Sequence, residues 1–153
     1  MEKRIHSAYR GEIYGISFFT HFANNYTNKS LIALWHSLIQ VERLTADLLE
    51  ISLNKNNIEY DRNDSLMNAK GIKDASAWIN LPWSELVDTL INWVEPYERQ
   101  YRLWVIETTQ EFETFQLIAD HETAIFQCWK SEQIGESGIP KLQAFIAKYT
   151  DKL

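Results

Sequence analysis

Apolar residues recur every three or four positions along most of the chain, which is the spacing typical of amphipathic α-helices. This pattern predicts a first helix from about Arg4 to Asn25 and a second helix from about Lys29 to Asn54. A third helix is predicted from Pro82 to about Glu107, and a fourth from Thr108 to Gly135. The chain then closes with a short helix from Pro140 to about Thr150.

The segment between the second and third helices, residues 57–81, has only weak periodicity and contains Gly71 with several Asn and Asp residues. It is predicted to be a long crossover with one or two short helical turns. Two helices, a long crossover and two more helices give the topology of ferritin-like four-helix bundles, whereas an up-down-up-down bundle needs only short loops. We therefore predict a single all-α domain over residues 1–153, with a short C-terminal helix added to the bundle.

Local signals refine the third and fourth helices. Pro82 suits the first position of a helix, whereas Pro96 is predicted to bend the third helix or to free a carbonyl near Asn92. Thr108 and Glu111 have the spacing of a capping box, which predicts that the fourth helix begins at Thr108. The inward stripes predicted for these two helices are Leu86, Leu90, Trp93, Val94, Tyr97, Tyr101 and Trp104, followed by Phe112, Phe115, Ile118, Ala119, Glu122, Ile125, Phe126 and Trp129.

Composition excludes several classes of protein. Aromatic residues make up 13% of the chain and include six Trp, a content that is incompatible with a disordered protein. The net charge is −6 and the 15 basic residues form no cluster, which argues against nucleic-acid binding. No apolar run approaches the roughly 20 residues that a membrane helix needs. The single cysteine, Cys128, cannot form an internal disulfide and is expected to be a small buried residue, so we expect a cytoplasmic protein.

Glutamates interrupt the apolar stripes near the middle of the predicted helices. Glu12 lies near the middle of the first helix, Glu42 in the middle of the second and Glu122 in the middle of the fourth. The third helix offers Glu95 or Glu98 around its own midpoint. Because the midpoints of antiparallel helices share one layer of a bundle, we expect these carboxylates to converge.

Converging carboxylates must be neutralised, because two of them cannot share a buried site cheaply while both are ionised. Either one takes up a proton or a cation enters the site. Oxygen ligands with some imidazole suit iron or manganese. His121 comes directly before Glu122, so the two side chains point about 100° apart on a helix. Only one of the two therefore points squarely inward, and the other can act by orienting a neighbour. The predicted metal site comprises Glu12, Glu42, Glu98, His121 and Glu122.

Several short motifs occur in a characteristic order. Gly11-Glu12 is followed by Gly15 and Phe19, then by Glu42 with Thr45, and then by His121-Glu122 with Ala124, Glu132 and Gly135, while Leu81-Pro82-Trp83 opens the third helix. This order resembles bacterial ferritin-like proteins of uncharacterised function over nearly the whole chain. The resemblance implies a carboxylate-bridged metal site with iron or manganese and redox or oxygenase-type chemistry.

Metal-loaded members carry Glu-x-x-His pairs on the second and fourth helices. Here Thr45 replaces the first histidine, and Ile118 stands three residues before His121 in place of a carboxylate.

Two alternatives to a metal-binding oxidoreductase remain at this stage. One is a metal-free helical bundle, with a vestigial carboxylate cluster, that acts in binding or assembly. The other is a heme-oxygenase-like helical fold, which also places Glu and His residues inside a bundle. The abundance of Trp further predicts a homodimer, because Trp35 and His36 extend the apolar arc of the second helix sideways.

Overall fold

The computed structural model describes residues 1–153, and the chain is all-α, with six α-helices and no β-strand. The helices are α1 (Glu2–Asn25), α2 (Ile32–Lys55), α3 (Ser65–Trp78), α4 (Trp83–Glu107), α5 (Phe112–Gln133) and α6 (Ile139–Tyr149). A 3₁₀ turn, Lys29–Leu31, precedes α2, and another, Thr150–Lys152, follows α6. No helix combines the length and the apolar character needed to cross a membrane.

The four long helices surround one aromatic core. α1 packs against α2, α4 packs against α5, and α2 also contacts α5. Trp93 of α4 completes the ring of contacts, because its indole lies 5.0 Å from the ring of Phe18 on α1. α6 contacts both α2 and α5 and buries the four apolar residues of its predicted stripe, Leu142, Phe145, Ile146 and Tyr149.

The crossover differs from the prediction, because it contains the 14-residue helix α3 in place of one or two short turns. The Asp64 side chain caps this helix by accepting a hydrogen bond from the backbone N–H of Met67. Only Gly71 and Ala75 are buried on α3. A side chain at Gly71 would place its Cβ 2.5 Å from the backbone oxygen of Tyr14, so the glycine allows α3 to lie directly on α1. Because the buried face of α3 consists of small residues, its sequence has no periodic pattern of large apolar residues that would predict a helix.

The start of α5 also differs from the prediction, because the capping box at Thr108 does not form. Thr108 is the extended residue that ends α4, and α5 begins only at Phe112. The chain turns through Glu111 at φ 57°, in the left-handed region. The Glu111 carboxylate accepts hydrogen bonds from Asn56 Nδ2 at 3.0 Å and Thr114 Oγ1 at 3.1 Å, so it contributes to the turn instead of a capping box.

Two residues lie elsewhere than their patterns predicted, since Tyr97 and Phe112, assigned to inward stripes, are 48% and 58% exposed. Trp35 falls on the inward stripe of the second helix and is also proposed, with His36, for a subunit face. It is 1% exposed and packs against Phe22 at 4.8 Å between ring centroids, which confirms the inward position. The Trp35 side chain therefore belongs to the core of the chain itself, and only His36 remains on the surface.

Candidate metal centre

Three ionisable side chains from three helices meet inside the protein. Glu12 comes from α1, Glu42 from α2 and His121 from α5, and all three are buried. His121 Nε2 lies 3.0 Å from Glu12 Oε2 and 3.1 Å from Glu42 Oε2. One ligand atom from each residue can be chosen so that all three lie within 4.8 Å of one another. We refer to Glu12, Glu42 and His121 as the triad.

Gly15 makes room for the triad on α1. A Cβ at this position would lie 2.6 Å from Glu42 Cδ and 2.7 Å from Glu42 Oε1, closer than real Cβ contacts allow. Only glycine therefore permits the Glu42 carboxylate to rest against the backbone of α1, one helical turn beyond Glu12. The pair Glu12-x-x-Gly15 is the sequence signal for this recess, and the predicted site did not include its glycine.

The hydrogen bonding of the triad is incomplete. His121 Nε2 carries at most one hydrogen, and only its contact with Glu42 has the geometry of a hydrogen bond. Glu12 Oε2 is therefore buried close to His121 without a donor, and His121 Nδ1 is also buried without a partner. The nearest acceptor to Nδ1 is Glu122 Oε2 at 3.4 Å. Most buried polar atoms in native proteins are satisfied, so two unsatisfied atoms in one cluster call for an explanation.

Burial and mutual charge shift the protonation of these groups. Burial, reinforced by the negative charge of Glu42, raises the pKa of Glu12 well above its usual range. Burial alone would lower the pKa of His121, but the neighbouring Glu12 and Glu42 carboxylates outweigh it and raise the pKa well above its ordinary value. Both shifts favour the protonated form of the group concerned when no metal is bound.

Glu122 lies at the edge of the centre. It is the predicted inward residue of the fourth helix, but the structure places His121 at the triad and leaves Glu122 beside it, with 13% of its side chain exposed. Burial is the largest influence on Glu122, and it raises the pKa of this carboxyl to about 7. Tyr101 lies nearby on α4, and burial together with the charge of Glu122 raises the pKa of its hydroxyl.

Glu98, the remaining predicted ligand, does not join the triad. It is buried on α4, where Arg102 donates to both of its oxygens at 2.7 and 2.9 Å, and Thr123 donates to Oε1 at 3.1 Å. Glu95 is half-exposed and pairs with Arg99. Of the five residues proposed from the sequence, the structure brings together Glu12, Glu42, His121 and, at its edge, Glu122.

A cavity of about 420 Å³ connects the triad with the surface between α1, α3 and α4. All three triad residues line it, together with Glu122 and Tyr101. His6, half-buried, also lines the cavity. The cavity falls within the range of roughly 300–1,000 Å³ seen for small-molecule sites. Comparison of the chain with family models, with curated proteins and with solved structures gives no match.

Proposed function

We propose that the chain is a ferritin-like protein that binds iron(II) or manganese(II) through Glu12, Glu42 and His121 and uses the metal for redox chemistry. The observation that carries the proposal is the triad itself, in which two carboxylates and one imidazole from three helices converge on one buried point. Oxygen ligands with one imidazole suit iron or manganese, and such a metal with open coordination positions supplies redox and oxygen chemistry when bound.

The unsatisfied atoms and the glycine recess support a cation at this point. Glu12 Oε2 has no hydrogen-bond donor and could bind a metal directly. Two buried carboxylates cost free energy unless a positive charge compensates them. Gly15 frees the space in which the Glu42 carboxylate lies. A protein that needed only a packed core would gain more from an apolar residue at each of these positions.

Glu122 fits the role of an orienting group and not that of a ligand. A histidine that binds a metal through one ring nitrogen almost always donates its other N–H to a carboxylate, a carbonyl or water. His121 Nε2 faces the two triad carboxylates, and His121 Nδ1 faces Glu122 Oε2. In the proposed centre, His121 therefore binds through Nε2 and Glu122 holds the ring orientation.

The ferritin-like assignment rests on the order of the long helices and on the motifs quoted above. Two long helices, a crossover and two more long helices surround a centre of glutamate and histidine, as in that fold. The ligand set departs from a paired-metal site because Thr45 and Ile118 take the places of two expected ligands. A single metal ion held by three residues suits this chain better than a pair.

Metal content tests the proposal directly. The protein is purified without chelators and without a His-tag, and its metals are measured by elemental analysis. The metal-free protein is then titrated anaerobically with Fe(II) and with Mn(II) while its melting temperature is followed. We expect close to one metal ion per chain and a higher melting temperature, since a ligand at 100 times its Kd stabilises by about 2.7 kcal/mol. Glu42→Gln should abolish the shift, and Glu95→Gln is the matched control because Glu95 is half-exposed and lies outside the triad.

A metal-free bundle is the second candidate, favoured by the hydrogen bond between His121 and Glu42. In that case a protonated His121, together with a proton on one carboxyl group, neutralises the cluster without any ion. Glu42→Leu should then leave stability unchanged or raise it at neutral pH, because such clusters are often no more stable than apolar replacements. Two results together would favour the metal-free bundle over the metal proposal. The melting temperature of the wild-type protein would not change with Fe(II) or Mn(II), and the Glu42→Leu variant would be more stable than the wild type.

A further inference from the structure

The cavity that leads to the triad has a charged mouth. Three basic residues line it, of which Lys3 and Lys70 are exposed and Arg10 is half-exposed, whereas Glu12, Glu42 and His121 at its inner end are buried. This exposure gradient places the cations at the opening. A group of three cations is unexpected in a chain of net charge −6.

The acidic groups near the mouth already have partners. Asp64 accepts a hydrogen bond from Arg10 at 2.9 Å, and Asp74 accepts one from the Tyr14 hydroxyl at 2.7 Å. Lys3 and Lys70 form no ion pair. The Lys70 ammonium lies 5.6 Å from the centre of the Tyr14 ring, so it is held over the opening. Asp74 keeps its negative charge because its partner is a neutral hydroxyl, so three cations face two carboxylates and the mouth keeps a net positive charge.

Aromatic rings form the wall between the mouth and the triad. Tyr14 of α1 and Trp93, Tyr97 and Tyr101 of α4 all line the cavity. Tyr14 and Trp93 are in contact, with ring centroids 5.7 Å apart. Tyr97 is 48% exposed, as expected of a ring that borders an open space. Flat rings offer stacking surface to an apolar or aromatic ligand.

We propose that the cavity binds an organic anion with a flat apolar body, its charged group among Lys3, Arg10 and Lys70 and its far end beside the triad. This substrate class rests on the proposed function, because a metal at the triad would make the buried end of the ligand the part that reacts. The polarity follows from the charges: at the inner end the two carboxylates offset the charge of His121 or of a bound metal, whereas the cations at the mouth attract an anion. An elongated molecule satisfies both ends only in this orientation.

Gly11 provides a way to close the cavity without disturbing the fold. It lines the cavity on α1, and a Cβ built there meets no atom within 4 Å. Leucine is a better helix former than glycine, so Gly11→Leu should fold and should project its side chain into the open space. The triad contacts of Glu12 and Glu42 are not touched by this change.

Binding of three related probes tests the proposal. Calorimetric titrations use 2-naphthoate, 2-naphthylmethanol and 2-naphthylmethylammonium, which share one flat body and differ in charge, on the metal-loaded wild-type protein. We expect naphthoate to bind at least about fivefold more tightly than the alcohol and the ammonium to bind most weakly. Lys3→Ala and Lys70→Ala should each weaken naphthoate binding by about two- to fivefold, the range for exposed charge pairs. Lys73→Ala is the matched control, because Lys73 is exposed on the same helix as Lys70 and does not line the cavity.

Gly11→Leu should abolish naphthoate binding while its melting temperature is no lower than that of the wild type and its metal uptake is unchanged. Equal affinity for the three probes, no binding of naphthoate, or unchanged binding in Gly11→Leu would overturn the proposal. Metal uptake is measured on the same samples, so the results distinguish a failure of the anion pocket from a failure of the metal centre. Normal metal binding without probe selectivity overturns the anion pocket alone, whereas selective naphthoate binding without metal uptake overturns the metal centre.

Discussion

Two glycines of α1, four residues apart, give the sharpest test of the centre. Gly11 and Gly15 have the same helical backbone, and replacing either by alanine should stabilise the helix by about 0.8–1.0 kcal/mol. Their surroundings differ. A Cβ at Gly11 meets open space, whereas a Cβ at Gly15 lies 2.6 Å from Glu42 Cδ. Gly11→Ala is therefore the control, because it should gain the stability of a better helix former without any steric conflict.

The contact at Gly15 can be relieved only by moving the Glu42 carboxylate away from α1. That movement takes Oε2 away from His121 Nε2, now 3.1 Å distant, and breaks the hydrogen bond between them. A hydrogen bond to a charged group contributes about 1.5–3 kcal/mol. Gly15→Ala should then be about 0.5–2 kcal/mol less stable than the wild type, and about 1.5–3 kcal/mol less stable than Gly11→Ala. At about 2–4 °C per kcal/mol for a chain of this size, the melting temperatures of the two variants should differ by about 3–12 °C.

Thermal melts of the metal-free proteins give this difference, and anaerobic titrations with Fe(II) or Mn(II) give the second readout. Misplacing a ligand carboxylate should lower the metal affinity of Gly15→Ala by at least the 10–100-fold typical of a lost orienting contact. Gly11→Ala should bind metal like the wild type. If Gly15→Ala were as stable as Gly11→Ala and bound metal equally well, the recess would have no part in the site and the reasoning would be refuted.

Three further outcomes are expected from other parts of the fold. Hydrogen bonds from Lys148, Tyr149 and Gln116 outweigh the effect of burial and lower the pKa of Asp120. Asp120 therefore stabilises the protein above its unfolded pKa, and Asp120→Asn should lose about 1–2 kcal/mol at pH 7, a deficit that shrinks in urea melts as the pH falls below about 4. Gly71→Ala should destabilise by about 1–3 kcal/mol in the same assay, because its Cβ would press on the backbone of α1. Sedimentation at micromolar concentration should give twice the chain mass, with Ile106, 79% exposed, in the contact; a monomer would contradict the predicted dimer.

The long helices could be predicted from sequence because each keeps its apolar spacing over many turns. The ends of α1 and α4 at Asn25 and Glu107 are confirmed by the structure. α3 could not be found in the same way, because polar contacts hold it to α1. Ser17 donates to Asn68 at 2.7 Å, and Tyr14 donates to Asp74. These pairings depend on which helix lies opposite, which the spacing of residues within α3 does not reveal.

The assignment of the inward residue on α5 failed for a different reason. α5 is covered by α4 on one flank and by α6 and α2 on others, so its buried arc is too wide for one stripe to define. The prediction followed Ile118, Glu122 and Ile125, whereas the structure also buries Leu117 and His121. The ring of His121 lies 6.2 Å from that of Phe145 on α6. α6 therefore helps α1 and α2 to bury this flank of α5.

Glu98 shows how this protein treats a buried carboxylate that has only a structural role. Both of its oxygens accept hydrogen bonds from Arg102, and Thr123 adds a third donor. The triad, buried to a similar degree, has one nitrogen hydrogen shared between two carboxylates, with Glu12 Oε2 left without a donor. A half-satisfied polar network costs more than either a complete one or an apolar core. The same fold completes the network around Glu98, and a cation between Glu12, Glu42 and His121 would complete the one at the triad.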